Sequence, residues 1–181
     1  MTVGVVYYKL KPNLQPMSKL DNSELHLLRA VEGWLELGNA AEAEREIQPL
    51  MEDFHLCPEV ISAQWQICAH KEDWAEGARV ANTLAKAAPG QSAGWIHRSY
   101  ALHELRRTQE AYDLLKPAFE IFPNEWVIPY NLACYLCQLN RLTEAEVLLS
   151  VALDRGQDEA RNAAQDDPDL EVLRKNRQED L

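Results

Sequence analysis

The sequence predicts an all-α protein, an array of four helical hairpins, and three observations carry that prediction. The first is a period. Ala43, Gly77, Ala111 and Ala145 follow one another at 34-residue steps, each preceded by a glutamate, Glu42, Glu76, Glu110 and Glu144. A fixed period of this length is the signature of stacked supersecondary units. The second is amphipathic spacing within the period, described below for the best-defined unit. The third is composition: 181 residues with 46% hydrophobic and 26% charged residues, seven glycines and nine prolines. That balance suits a folded core and excludes collagen-like or wholesale disordered character.

One period reads as helix, short turn, helix. In the third unit Trp95, Ser99, Leu102 and Leu105 fall at i, i+4, i+7 and i+10, a single stripe of a first helix. Arg106-Arg107-Thr108-Gln109 interrupts the pattern, and a second helix is predicted from about Glu110 to Ile121, with Ala111, Leu114, Leu115, Ala118 and Phe119 on one face. Pro123 ends it, because proline cannot continue a helix and disfavours helix in the residue before it. The recurring small residue has a steric reason. It sits where the two helices of a hairpin cross, and a larger side chain there would push them apart. Seven residues further on stand Leu50, Leu84, Ala118 and Ala152, and the closing Pro89 and Pro123 are again 34 apart.

A 34-residue helix–turn–helix with a tryptophan near its start, a small residue in mid-unit and a closing proline resembles the tetratricopeptide repeat. The resemblance divides the chain into units 24–57, 58–91, 92–125 and 126–159. The third keeps Trp95, Ala111, Leu115, Ala118 and Pro123 in family positions, and the fourth fits through Asn131-Leu132-Ala133 and Glu144-Ala145. The second keeps Trp74, Gly77, Leu84 and Pro89 but has Lys71 where leucine is expected. The first is the loosest, with its proline late, at Pro58. The implied fold is a right-handed α-solenoid.

Two segments flank the array. Residues 1–23 are an N-terminal extension, expected to be poorly ordered. Its first twenty residues hold Lys9, Lys11 and Lys19 and no acid, which leaves the rest of the chain at −14 within a total of −11. Removal of residues 1–16 is expected to leave helicity and thermal stability nearly unchanged. Residues 160–181 are expected to form a C-terminal capping helix and tail. Asp167, Pro168 and Asp169 supply an N-cap, an N1 proline and a first-turn acid. Leu170 and Leu173 then cover the open face of the last hairpin, as a stacked array requires.

Chemistry-bearing motifs are few. Cys134 and Cys137 form a C-x-x-C in mid-helix rather than at a helix start, with no second pair to complete a zinc site, and read as structural thiols. His26, His55, His70, His97 and His103 make no H-E-x-x-H and no i, i+4 pair. Phosphate-cradling glycine loops, nucleophile elbows and calcium loops are all missing. No enzyme, no metal site and no cofactor are expected. The acidity disfavours nucleic acid and anionic membrane as partners. The absence of a basic n-region and long apolar stretch at the start points to a reducing cytoplasm, with the cysteines as thiols.

The family resemblance implies a concave groove lined by the first helices. Residues transferred into ligand-facing register include Gln66 in unit two, Ile96, His97, Tyr100 and His103 in unit three, and Tyr130, Asn131 and Cys134 in unit four, with Gln138 beyond them. Asn131 is suited to bond an extended peptide backbone through both amide groups, and Tyr100 and Tyr130 to anchor it. The alternative for the tyrosines is that they pack between helices and leave only their hydroxyls exposed. The lysine–asparagine clamp that related repeats use for the acidic tails of heat-shock chaperones is absent: Leu28, Glu32, Ala63, Ala93 and His97 occupy its places. The expected function is therefore a non-catalytic scaffold binding a protein or peptide segment, neutral or weakly basic, in that groove. The rivals are a small acidic chaperone for secreted proteins and a self-assembling structural subunit.

Overall fold

A computed structural model describes residues 20–179. The N-terminal extension, including residues 1–16 expected to be dispensable, lies outside the described residues. The described chain is helical and forms two compact units, residues 20–101 and residues 102–179.

The first unit holds α1 (Asn22–Glu36), α2 (Ala40–Asp53), α3 (Pro58–His70), α4 (Trp74–Ala87) and most of α5 (Ala93–Glu104). Asp21 opens α1 with a reciprocal capping box, its carboxylate accepting from the Ser23 and Glu24 amides while Glu24 accepts from its own. Asn39 and Asp73 cap α2 and α4 by accepting from the Glu42 and Glu76 amides. The recurring glutamate is thus the third residue of each second helix, where its charge complements the helix dipole. Lys71, the departure from the family pattern, forms an ion pair with Glu44 at 2.9 Å. Ala43 and Gly77 are buried as the crossing demands. A Cβ on Gly77 would meet Trp65, Cys68 and Ala101 at 3.6–3.8 Å, so a methyl fits there and a branched chain does not.

The second unit holds the end of α5, α6 (Thr108–Leu115), α7 (Ala118–Ile121), α8 (Val127–Gln138), α9 (Leu142–Gln165), a 3-10 turn (Pro168–Leu170) and α10 (Glu171–Glu179). The second helix expected over 110–121 is broken: α6 stops at Leu115 and α7 starts at Ala118, because Pro117 has no N–H to continue the ladder. Proline is not decisive by itself, since α2 runs through Pro49. The segment expected as one helix from 168 begins as the 3-10 turn instead, with Asp167 as its N-cap. Helix α8 packs against α6, α9 and this turn, and residues 127–137 are buried without a gap. Leu170 and Leu173 line an apolar pocket with Leu149, Leu153 and Ala164.

A second 34-residue series lies in the backbone. Gly38, Glu72, Arg106 and Asn140 have φ of 72°, 55°, 63° and 57°, at the turn of each hairpin. In each turn the amide of the left-handed residue bonds the carbonyl three back, and the next amide bonds the carbonyl five back, as in Gly38 N to Leu35 O and Asn39 N to Trp34 O. This double bond pattern satisfies the helix-end carbonyls.

Candidate functional site

In the first unit, Gln66 is half-buried on α3, where its carbonyl lies 3.0 Å from His70 Nδ1. Ile96 is buried. His97 stacks on Trp65, ring centroids 3.8 Å apart and planes within 8°, and Tyr100 stands edge-on to both Trp65 and Trp74. Trp65, His97 and Tyr100 are buried in this aromatic cluster, and Trp74 is half-buried at its edge. Burial pushes the His97 imidazole down to about 3, so the ring is neutral and behaves as a flat aromatic. Tyr100 therefore packs between helices.

The second unit places the remaining residues around a single segment of the chain. Tyr130 Oη donates to Asp167 Oδ2 at 2.7 Å, and Cys134 Sγ lies 3.8 Å from the same oxygen. Gln138 Nε2 donates to Asp169 Oδ1 at 2.7 Å, while His103 Nε2 meets Asp169 Oδ2 at 3.2 Å. Thr108 Oγ1 is 3.1 Å from the other ring nitrogen of His103. Both aspartates, His103 and Tyr130 are buried. Four residues placed in ligand-facing register, His103, Tyr130, Cys134 and Gln138, thus converge on Asp167-Pro168-Asp169. Asn131, also in that register, is fully buried, and neither of its amide atoms has a hydrogen-bond partner.

The electrostatics of this face follow from burial. Desolvation raises the Asp167 carboxyl to about 6, partly offset by the bonds from Tyr130 and the Asp169 amide. Burial also keeps the Tyr130 phenol and the Cys134 thiol protonated, and holds Cys137 up at about 12. Neither cysteine supplies a thiolate nucleophile at neutral pH. Among the described residues no group of three metal-ligating side chains comes together, and no helix is long and apolar enough to cross a membrane. The arrangement can hold a short segment bearing two carboxylates.

Sequence reasoning read Asp167 and Asp169 only as a helix start. Asp167 does both tasks at once, its Oδ1 accepting from the Asp169 amide and its Oδ2 from Tyr130. Nothing in the residue types announces the second bond, which depends on how α9 turns.

The tetratricopeptide-repeat family model matches residues 102–169. No curated protein matches the sequence. Among solved structures, MamA (residues 41 to the end) from Desulfovibrio magneticus RS-1 superposes with a TM-score of 0.64 at 15% identity, covering 86% of this chain and 97% of that one. MamA MSR-1 gives 0.61 at 18% identity, with 72% and 75% covered. YrrB, described as a TPR protein with an unusual peptide-binding site, gives 0.59 at 12% identity, with 83% and 90% covered. At these identities the likeness is one of fold. Residues 102–169 thus match the tetratricopeptide-repeat family, and the 34-residue series and the superpositions extend the likeness, as one of fold, to the other described hairpins.

Proposed function

We propose that the chain is a non-catalytic interaction scaffold that holds a segment of a protein partner on the first helices of its hairpins. The supporting observation is the convergence of His103, Tyr130, Cys134 and Gln138 on Asp167–Asp169, a face already holding a short stretch of polypeptide in cis. The peptide-binding site reported for YrrB supports the same use of the fold. Within this function Gln66 supplies a half-buried amide in the first unit, and Gln138 an exposed one in the second. Asn131 offers a buried amide with neither atom hydrogen-bonded. Ile96, His97 and Tyr100 form the floor in the first unit. The four free thiols accord with a cytoplasmic setting.

The test is quantitative co-purification from extracts of the native cell. Gln66→Ala with Gln138→Ala, and separately Tyr100→Ala with Asn131→Ala, are expected to weaken partner capture at least tenfold, about 1.4 kcal/mol, with helicity retained. Equal recovery by folded variants would move the binding surface away from the first helices.

A further inference from the structure

Gln157 lies inside α9 with φ 46° and ψ −121°. The other non-glycine residues of positive φ among those described sit in hairpin turns, where the helix has ended. Gln157 is itself the joint between two helices, Leu142–Gly156 before it and Asp158–Gln165 after it, with no further residue to make a turn. A residue with a Cβ is held in so rare a conformation only when the surroundings impose it.

The surroundings are identifiable. The bend brings residues 158–170 back so that Ala160 is fully buried and Asp167 and Asp169 reach Tyr130, Gln138 and His103. Gly156 makes the bend possible. A Cβ at that position would lie 2.6 Å from the Trp126 ring and 2.8 Å from the Ala160 Cβ. In a straight helix residues four apart have Cβ atoms about 5–6 Å from each other, so the conflict with Ala160 belongs to the bend and disappears with it.

We infer that α9 can straighten through Gln157 and that residues 158–179 then exchange with those of a second copy of this chain, each Asp167–Asp169 turn seating on the other copy's His103, Tyr130 and Gln138. The occupant is fixed by chemistry on both sides. Once its own turn leaves, the face needs two carboxylates at the spacing of Asp167 and Asp169 and apolar cover of the kind Leu170 and Leu173 provide. A second copy presents the identical segment. Exchange of an identical element preserves the contacts of the Asp167–Asp169 turn and relieves the bend, against the entropy of association. The inference needs only the intramolecular seat, and it stands independently of partner capture.

Two substitutions at adjacent positions push the equilibrium in opposite directions. Gly156→Ala obstructs the bend and favours a straight helix, so it is expected to tighten dimerisation at least tenfold in light-scattering or sedimentation measurements over a range of concentrations. Gln157→Gly removes the strain and is expected to weaken dimerisation by a similar factor. Connectivity is read with Asp167→Cys in the Gly156→Ala background. Cys134 Sγ lies 3.8 Å from the Asp167 carboxylate in the closed chain, and oxidised glutathione then links residues 134 and 167. Exchange gives a covalent dimer on a non-reducing gel, lost on Cys134→Ser. Were the Gly156→Ala protein monomeric at every concentration, or its dimer linked only by intrachain 134–167 disulfides, exchange would be overturned. Should Gly156→Ala fail to fold, a parent protein that stays monomeric at the highest attainable concentration overturns it equally. Partner capture measured on the same samples separates this failure from that of the binding function.

Discussion

His97 and His103 stand six residues apart on α5, both buried, one in each compact unit, and their surroundings differ. His97 lies flat on Trp65 within a cluster of rings, kept neutral by desolvation. His103 is clasped edge-on between the Asp169 carboxylate and the Thr108 hydroxyl. The difference teaches that one residue type on one helix can be seated chiefly on a ring face or chiefly against polar side chains. The choice is set by what the rest of the fold brings to it. In the first unit that is an indole, and in the second a returning acidic turn.

The largest test removes the partner in each case. Trp65→Ala deletes a fully buried side chain and the surface on which His97 stacks, with an expected loss of about 4 kcal/mol. Asp169→Ala leaves His103 and Gln138 without the carboxylate that receives both, an expected loss of about 2–3 kcal/mol. Denaturant unfolding measures both. A cost for Asp169→Ala below that of an ordinary surface substitution would mean that the clasp contributes nothing to stability.

Acid separates the two units next. The unfolded chain protonates a histidine near 6.5, whereas buried His97 resists until about 3. As pH falls below 6.5 the unfolded state therefore binds the extra proton, and stability is lost. Asp167 has the reverse sign. Its carboxyl takes up a proton near 6 when folded but near 3.8 when unfolded, so stability is gained as pH falls through 6 toward 4. Each slope is at most about 1.4 kcal/mol per pH unit. Hydrogen exchange, corrected for its intrinsic pH dependence, is expected to show α3 amides less protected and α8 amides more protected at pH 5 than at pH 6.5. Asp167→Asn is expected to abolish the gain in α8. Parallel changes in both helices would refute the assignment.

The crossings are expected to behave alike in the two units. Gly77→Leu and Ala111→Leu each overpack a buried helix crossing, at about 1–3 kcal/mol, whereas Gly77→Ala is tolerated because its Cβ meets only ordinary contacts. Unchanged thermal midpoints for both leucine variants would remove the crossings from these positions.

Those crossings explain what was legible. A steric requirement at a fixed place in every hairpin leaves a small residue at a fixed period, so the all-α hairpin fold is visible in Ala43, Gly77, Ala111 and Ala145. The face of α8 was legible as a register, through Tyr130 and Cys134. What returns to cover it was not. That depends on the bend at Gln157, beside a glycine whose missing Cβ leaves room for the Trp126 ring and Ala160. The break at Pro117 was hidden for a related reason, since Pro49 shows that proline alone does not fix where a helix ends.

The smallest expected effect lies in the turns, where the contrast between the units vanishes. Gly38, Glu72, Arg106 and Asn140 share the left-handed conformation and the same pair of backbone bonds, yet their side chains have nothing in common. That is why the second 34-residue series is silent in the sequence. The turn selects for a conformation, and the Schellman bonds hold it whatever the residue. A Cβ disfavours this conformation by about 1–2 kcal/mol, while glycine loses roughly 0.5–1 kcal/mol more backbone entropy on folding. Exposed Glu72 and Arg106 replaced by glycine, one in each unit, are therefore each expected to raise stability by about 0.5 kcal/mol. Gly38→Ala is expected to lower it by about the same amount. Denaturant midpoints read all three. Should Arg106→Gly prove destabilising while Glu72→Gly does not, the Arg106 side chain carries a contact in the second unit that outweighs the backbone, and the equivalence of the turns fails there.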